Sequence, residues 1–176
     1  MKTYLITGAA GFIGANFLKY LLKLHNDVKI VVLDSLTYAG NLGTIKEDIK
    51  DSRVVFIKGD IRDNDLVKKI FDDYHIDYVV NFAAESHVDR SIEDPQLFLE
   101  TNILGTQNIL ENAKKAWKTG QDENGYPLYR EGVKFLQIST DEVYGSLSKD
   151  YNDPIALKLE DESLKNIVKD KKLQTY

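Results

Sequence analysis

The stretch Thr7-Gly-Ala-Ala-Gly-Phe-Ile-Gly14 constrains the fold more than any other part of the chain. It follows a short β-prone run, Tyr4-Leu-Ile6, and leads into Phe12 to Leu24, where Phe17, Leu18, Leu21 and Leu22 recur at helical spacing. Strand, glycine turn and helix in that order open a β-α-β unit, and the pattern G-x-x-G-x-x-G gives each glycine a task. Gly8 permits the tight turn, Gly11 lets a pyrophosphate approach the backbone, and Gly14 lets helix and strand pack closely, while the helix N-terminus faces the anion. A glycine-rich turn without a ligand would carry the same letters, so the context decides.

That context is β-α alternation. Val28 to Leu33 is a continuous apolar run ending at Asp34, as suits a strand covered on both faces of a parallel sheet. Val54-Val-Phe-Ile57, Tyr78-Val-Val-Asn-Phe82 and Val133 to Ile138 repeat the pattern, with helices expected at Asp63 to Tyr74 and Pro95 to Lys118. The expected fold class is therefore α/β: a Rossmann-like, doubly wound parallel sheet joined by right-handed crossovers. Thr119 to Gly132, polar and punctuated by Gly and Pro, reads as a long surface loop before the fifth strand. An incomplete dinucleotide-binding domain is expected over residues 1–147. Residues 148–176 read as a charged tail, partly helical or disordered, in which Leu164, Ile167 and Val168 suit a single amphipathic helix.

Asp34 lies 20 residues beyond Gly14, where a carboxylate accepts hydrogen bonds from both ribose hydroxyls of an adenosine. It would repel a 2′-phosphate, which favours NAD over NADP. Asp60, after the third strand in Gly-Asp-Ile-Arg-Asp, reads either as a neighbour of the adenine or as a helix N-cap. The formal net charge of -5, without a basic stripe, argues against nucleic acid. With no cysteine there is no disulfide framework and no thiolate metal site, and the three histidines are scattered, so no metal is expected. No run reaches the roughly 18 apolar residues of a membrane span and none resembles a signal peptide, so a cytoplasmic protein is expected.

Chemistry beyond binding must come from the carboxyl ends of the fourth and fifth strands. The fourth leads into Phe82-Ala-Ala-Glu-Ser-His87, where Ala83 and Ala84 let a cofactor pass close to the backbone and Ser86 and His87 offer hydrogen bonds. The fifth leads into Ser139, Thr140, Asp141 and Glu142. An adjacent Asp-Glu pair is usually solvated or capping, but at a strand end facing a nucleotide cleft it suits proton transfer. Neighbouring carboxylates in a partly dry cleft separate their pKa values, so one stays ionised while the other stays protonated.

The segments TGAAGFIG, LDSLTYAGN (33–41), GDIRD (59–63), NFAAESHVDRSI (81–92), TNILGT (101–106) and STDEVYG (139–145) together resemble the dTDP-glucose 4,6-dehydratase family of extended short-chain dehydrogenases/reductases. The resemblance covers residues 1 to about 147. The glycine motif belongs to the whole superfamily, whereas AAESHVDRS followed by TDEVYG is narrow. It implies that bound NAD+ takes hydride from sugar C4, that Glu142 removes the C5 proton, that Asp141 protonates the departing C6 hydroxyl, and that Thr140 donates to the C4 oxygen. It further implies that Phe12, Ile13, Asp34, Ser35, Leu36, Thr37, Asp60 and Ile61 line NAD. Phe82, Ala83, Ala84, Glu85, Ser86 and Thr101 would do the same, with Ser86 and Thr140 also near the dTDP-glucose substrate. A homodimer built on the long helices is implied as well.

The sequence departs from that family in one respect that matters. Extended short-chain dehydrogenases use Tyr-x-x-x-Lys to take the C4 hydroxyl proton, and no tyrosine here has a lysine four residues on. The chain is thus expected to correspond to the amino-terminal part of a dehydratase, ending before the substrate-binding domain, and to turn over poorly or not at all. Two readings stay open beside it: another nucleotide-sugar dehydratase or epimerase, and a non-catalytic NAD-binding module.

Overall fold

In the computed structural model, which describes residues 1–140, the opening motif becomes β1 (Lys2–Thr7) and α1 (Phe12–Leu24). β2 (Val28–Asp34) and β3 (Val54–Lys58) follow, and α2 (Asn64–Asp73) leads to β4 (Tyr78–Asn81). Then come α3 (Val88–Glu93), α4 (Pro95–Phe98), a π-helical segment Leu99–Gly105 and α5 (Thr106–Trp117). Two short strands, β5 (Lys118–Gln121) and β6 (Pro127–Tyr129), precede β7 (Lys134–Gln137).

Five strands form one parallel sheet in the order β3-β2-β1-β4-β7. The chain builds outward from β1 to β3, then returns to the other side of β1 for β4 and β7. The direction reverses between β1 and β4, and their carboxyl ends open the crevice where such sheets bind ligands. This is the Rossmann-like, doubly wound architecture that the alternating sequence pattern implies.

The apolar runs are continuous because the sheet is buried on both faces. Successive side chains of a strand point to opposite sides, so Leu5, Val31, Leu33 and Val79 pack with Val67, Ile70 and Phe71 of α2 and Ile109, Ala113 and Trp117 of α5. Ile6, Ile30 and Val32 face the other way, onto Ala15, Leu18 and Leu21 of α1 together with Ile45 and Val54. Trp117 also donates its indole N–H to Ile76 O at 2.8 Å, which satisfies the one polar atom its burial would strand. No helix among the described residues is long and apolar enough to cross a membrane.

Two segments differ from the sequence expectation. The stretch from Thr119 to Gly132 is not a plain loop: β5 and β6 pair antiparallel as a hairpin. The Asp122 carboxylate accepts from Asn124 N at 2.9 Å and Tyr126 N at 2.8 Å, and Gly125 turns the chain at φ +83°. The expected helix from Pro95 to Lys118 is helical as far as Trp117, with Lys118 already in β5, and widens to π geometry over Leu99–Gly105. Asp141, Glu142 and the expected charged tail lie outside the described residues.

Candidate functional site

The glycine turn is braced before any ligand is considered. Gly8 sits at φ +67°, and a methyl group there would lie 2.7 Å from Ala83 N, so β1 and the segment after β4 meet without a side chain between them. A methyl on Gly14 would strike Gly8 O and come within 2.8 Å of Ala9 Cα, which is why α1 can start directly against the turn. Gly11 is the N-cap residue of α1 and brings no side chain to its first turn. The opening N–H groups of that helix, at the exposed residues Phe12 and Ile13, are left for an external acceptor.

Asp34, at the end of β2, is 7% exposed, and both its oxygens are engaged. Oδ2 accepts from Ala10 N at 2.8 Å inside the glycine turn, and Oδ1 accepts from Leu36 N at 2.8 Å. A carboxylate offers about four acceptor sites, so two remain for hydroxyl donors. Leu36 is held at φ +55° by this local bond, and Asn41 N donates to Ala10 O at 3.0 Å, tying the 35–41 loop to the turn a second time. Ser35 and Leu36 are half-buried and Thr37 is exposed on this loop.

Asp60 does not cap α2; Asp63 does, accepting from Leu66 N at 3.0 Å. Asp60 instead receives Arg62 N at 2.8 Å and the Arg62 guanidinium at 2.7 Å, while Arg62 also reaches Glu100 at 2.9 Å. Burial pushes the Asp60 pKa up, but the Arg62 hydrogen bonds and charge outweigh it and leave the carboxyl below its ordinary range. These groups and Leu104 line an open pocket of about 490 Å³. Ile61, next to Asp60, is buried under Gly105 of the π segment.

The end of β4 is fixed by a row of side chains. Thr7 Oγ1 donates to Asn81 Oδ1, and Asn81 Nδ2 donates to Gln137 Oε1 at 2.8 Å and Thr106 Oγ1 at 3.3 Å. Beyond it, Phe82 packs on Phe17 at 5.3 Å between ring centres, and Ala83 N donates to Thr7 Oγ1 at 3.3 Å. Asn102, inside the π segment beside Thr101, accepts from Glu85 N and donates to Glu85 O, both at 2.8 Å. Glu85 is 6% exposed and its Oε2 has no hydrogen-bond partner among the described residues, which leaves a buried acceptor at the crevice loop. Ala84 and Ser86 are exposed on the same loop. β7 pairs with β4 up to Ile138, whose N–H donates to Asn81 O, and Thr140 follows as an exposed residue.

The structure thus gathers Gly8, Gly11, Phe12, Ile13, Gly14, Asp34 and the 82–86 segment around one crevice. Asn102 and the Thr7–Asn81–Gln137 row were not singled out from sequence. The TNILGT segment carries the signal for Asn102, because an Asn inside a helix interior favours bonding to backbone. No comparable signal marks Gln137, whose partner is 56 residues away.

The residues present suit a dinucleotide: a turn that a Cβ would fill, uncapped helix N–H groups, and a carboxylate with spare acceptors one strand away. Comparison with known proteins points the same way. The family model described as GDP-mannose 4,6 dehydratase matches residues 5–155. A dTDP-glucose 4,6-dehydratase of Xanthomonas campestris pv. campestris is 46% identical over 149 residues, covering 85% of this chain and 40% of that protein. Among solved structures, DesIV, a dTDP-glucose 4,6-dehydratase from Streptomyces venezuelae with NAD and TYD bound, is 42% identical with a TM-score of 0.68, over 84% of this chain and 42% of that one. The dTDP-glucose 4,6-dehydratase of Bacillus anthracis in complex with NAD gives 37% identity and a TM-score of 0.67, over 85% of this chain and 41% of that one. The chain therefore spans about two fifths of the length of these relatives.

Proposed function

The chain belongs to the GDP-mannose 4,6 dehydratase family, and from that premise we propose that it carries the NAD-binding and proton-transfer elements of a dTDP-glucose 4,6-dehydratase. The observation that carries the cofactor reading is the Asp34 carboxylate, anchored to Ala10 N within the glycine turn and to Leu36 N. This supports the reading, because the carboxylate is held beside the glycine turn with acceptor sites to spare for a ribose, and its charge disfavours a 2′-phosphate. When bound, the cofactor supplies a reversible hydride acceptor. Residues Gly8 to Gly14, Ser35 to Thr37, Asp60, Ile61, Phe82 to Ser86 and Thr101 orient it in this reading.

The conversion is loss of water from dTDP-glucose to give a 4-keto-6-deoxy sugar. Thr140 donates to the C4 oxygen, Glu142 removes the C5 proton, and Asp141 gives a proton to the departing C6 hydroxyl. Removing the C5 proton and protonating the leaving group are opposite tasks, which adjacent carboxyl groups can divide between them. Support comes from the run Ser139-Thr-Asp-Glu142 directly after the strand that pairs with β4. A homodimer belongs to the same reading, supported by Val88, Ile92, Leu99, Ile103 and Leu110, exposed apolar residues along α3 to α5.

Calorimetric titration of the chain with NAD+ and NADP+ tests the cofactor half: NAD+ is expected to bind more tightly, and Asp34→Asn to narrow the preference by about tenfold. Absence of NAD+ binding in folded protein refutes it. The catalytic half is tested in a longer chain that includes Tyr-x-x-x-Lys, where Glu142→Gln should abolish C5 proton exchange and leave NAD affinity intact. The absence of Tyr-x-x-x-Lys from these residues favours a second reading, a non-catalytic NAD-binding module. Keto-sugar formation from dTDP-glucose, followed by absorbance in alkali, separates the two.

A further inference from the structure

The loop after β2 and the segment after β4 touch each other across the mouth of the crevice. The Arg90 guanidinium lies over the Tyr38 ring at 4.1 Å from its centre, and the His87 ring meets Tyr38 edge-on at 6.3 Å. β2 and β4 are the two neighbours of β1 in the sheet, so a contact between their loops must pass across the end of β1, where the glycine turn begins. Both flanks are also tied to that turn: Asn41 N donates to Ala10 O on one side, and Ala83 N donates to Thr7 Oγ1 on the other.

Charge gives this bridge a purpose. The residues assigned to the cofactor include Asp34, Asp60 and Glu85 but no lysine or arginine, whereas a dinucleotide brings two phosphate charges. Arg62 cannot compensate, because Asp60 and Glu100 already hold it. Arg90 is different: it is half-buried, fixed by stacking, and forms no ion pair among the described residues. A guanidinium with open hydrogen-bond donors suits a diphosphate.

We propose that Tyr38 and Arg90 form a strap over the crevice, in which Arg90 is the cation that meets the diphosphate of the bound dinucleotide and Tyr38 positions it. The strap rests on the nicotinamide-dinucleotide reading above and adds to it the group that retains the cofactor. Stacking on Tyr38 restrains a side chain that would otherwise spend rotamer entropy on each phosphate contact, so both residues should act on escape of the ligand.

The test measures dissociation of NADH from the 176-residue chain by stopped-flow fluorescence, with equilibrium binding of ADP and of adenosine alongside. Arg90→Ala is expected to release NADH about tenfold faster and to weaken ADP by a similar factor, the size of one charge-assisted contact, while adenosine binding stays unchanged. Tyr38→Leu should give part of that effect and Tyr38→Phe almost none, because the phenyl ring still stacks. Arg90→Lys, which keeps the charge and the fold, should fall between wild type and Arg90→Ala. Unchanged NADH release in both Arg90→Ala and Tyr38→Leu overturns the strap, as does an equal loss of adenosine binding. A wild-type chain that binds neither NADH nor ADP overturns the dinucleotide reading itself, a result distinct from either.

Discussion

Gly14 has no room for a methyl group: it would meet Gly8 O and Ala9 Cα, both backbone atoms that cannot swing aside. Gly14→Ala is therefore expected to cost about 1–3 kcal/mol of stability, by overpacking at the strand–helix joint. The same change should push the turn away from Asp34 and weaken NAD+ binding. Chemical denaturation and calorimetry together check this, and an unchanged midpoint would show that the joint is looser than the geometry implies. Asp34 illustrates how a residue read from spacing as a ribose acceptor also holds a structural role. Its position at the end of β2 follows from sequence, but its bond to Ala10 N, which braces the turn across 24 residues, needed the strand register.

At the scale of elements, residues 82–87 after β4 have no regular structure of their own and are held by the π segment. Asn102 satisfies both backbone groups of Glu85, so Asn102→Leu would leave two polar groups without partners. A loss of about 2 kcal/mol is expected, together with faster hydrogen exchange at the Glu85 amide, measured by mass spectrometry or NMR. The hairpin of β5 and β6 shows what pattern reading overlooks. Its strands are short and largely exposed, so no apolar alternation announces them. The Asn124-Gly125 dipeptide between them was the available signal, since Gly readily takes the positive φ found there. The helix from Pro95 to Trp117 was legible because Ile109, Ala113 and Trp117 recur on one face. Its π widening was not, since it rests on bonds to distant loops.

Across the whole molecule, ion pairs set the expected response to acid. The Arg53 side chain and backbone N–H hydrogen-bond the Asp51 carboxyl and hold its pKa at about 2. Arg53 in turn donates to Leu22 O at 3.2 Å and to His25 O at 2.6 Å, joining the end of α1 to the start of β3. At Asp77, burial raises the pKa, but the bond from Thr3 N and the charges of Lys2 and Arg130 leave it lowered on balance. Carboxyls whose folded pKa lies below the unfolded value stabilise the fold above roughly pH 4, and that contribution disappears as pH falls toward about 2. The thermal midpoint should hold above about pH 5 and fall between about pH 4 and pH 2. Arg53→Met should lower it at neutral pH and flatten the acid limb; an acid limb identical to wild type would remove Asp51 from the account.

The sequence by itself determined the alternating strands and helices, the sheet's burial on both faces, and the glycine turn with its acidic residue one strand later. These are properties of neighbours along the chain, where periodicity and backbone preference act directly. Only the tertiary structure decided that β1 lies between β2 and β4, that Asp34 braces the turn it serves, that Asn102 holds Glu85, and that Arg90 stacks on Tyr38 over the crevice. The Asp34 and Arg90 contacts exist only once the sheet has brought neighbouring strands side by side, and the Asn102 bonds only once the π segment folds back on the loop after β4.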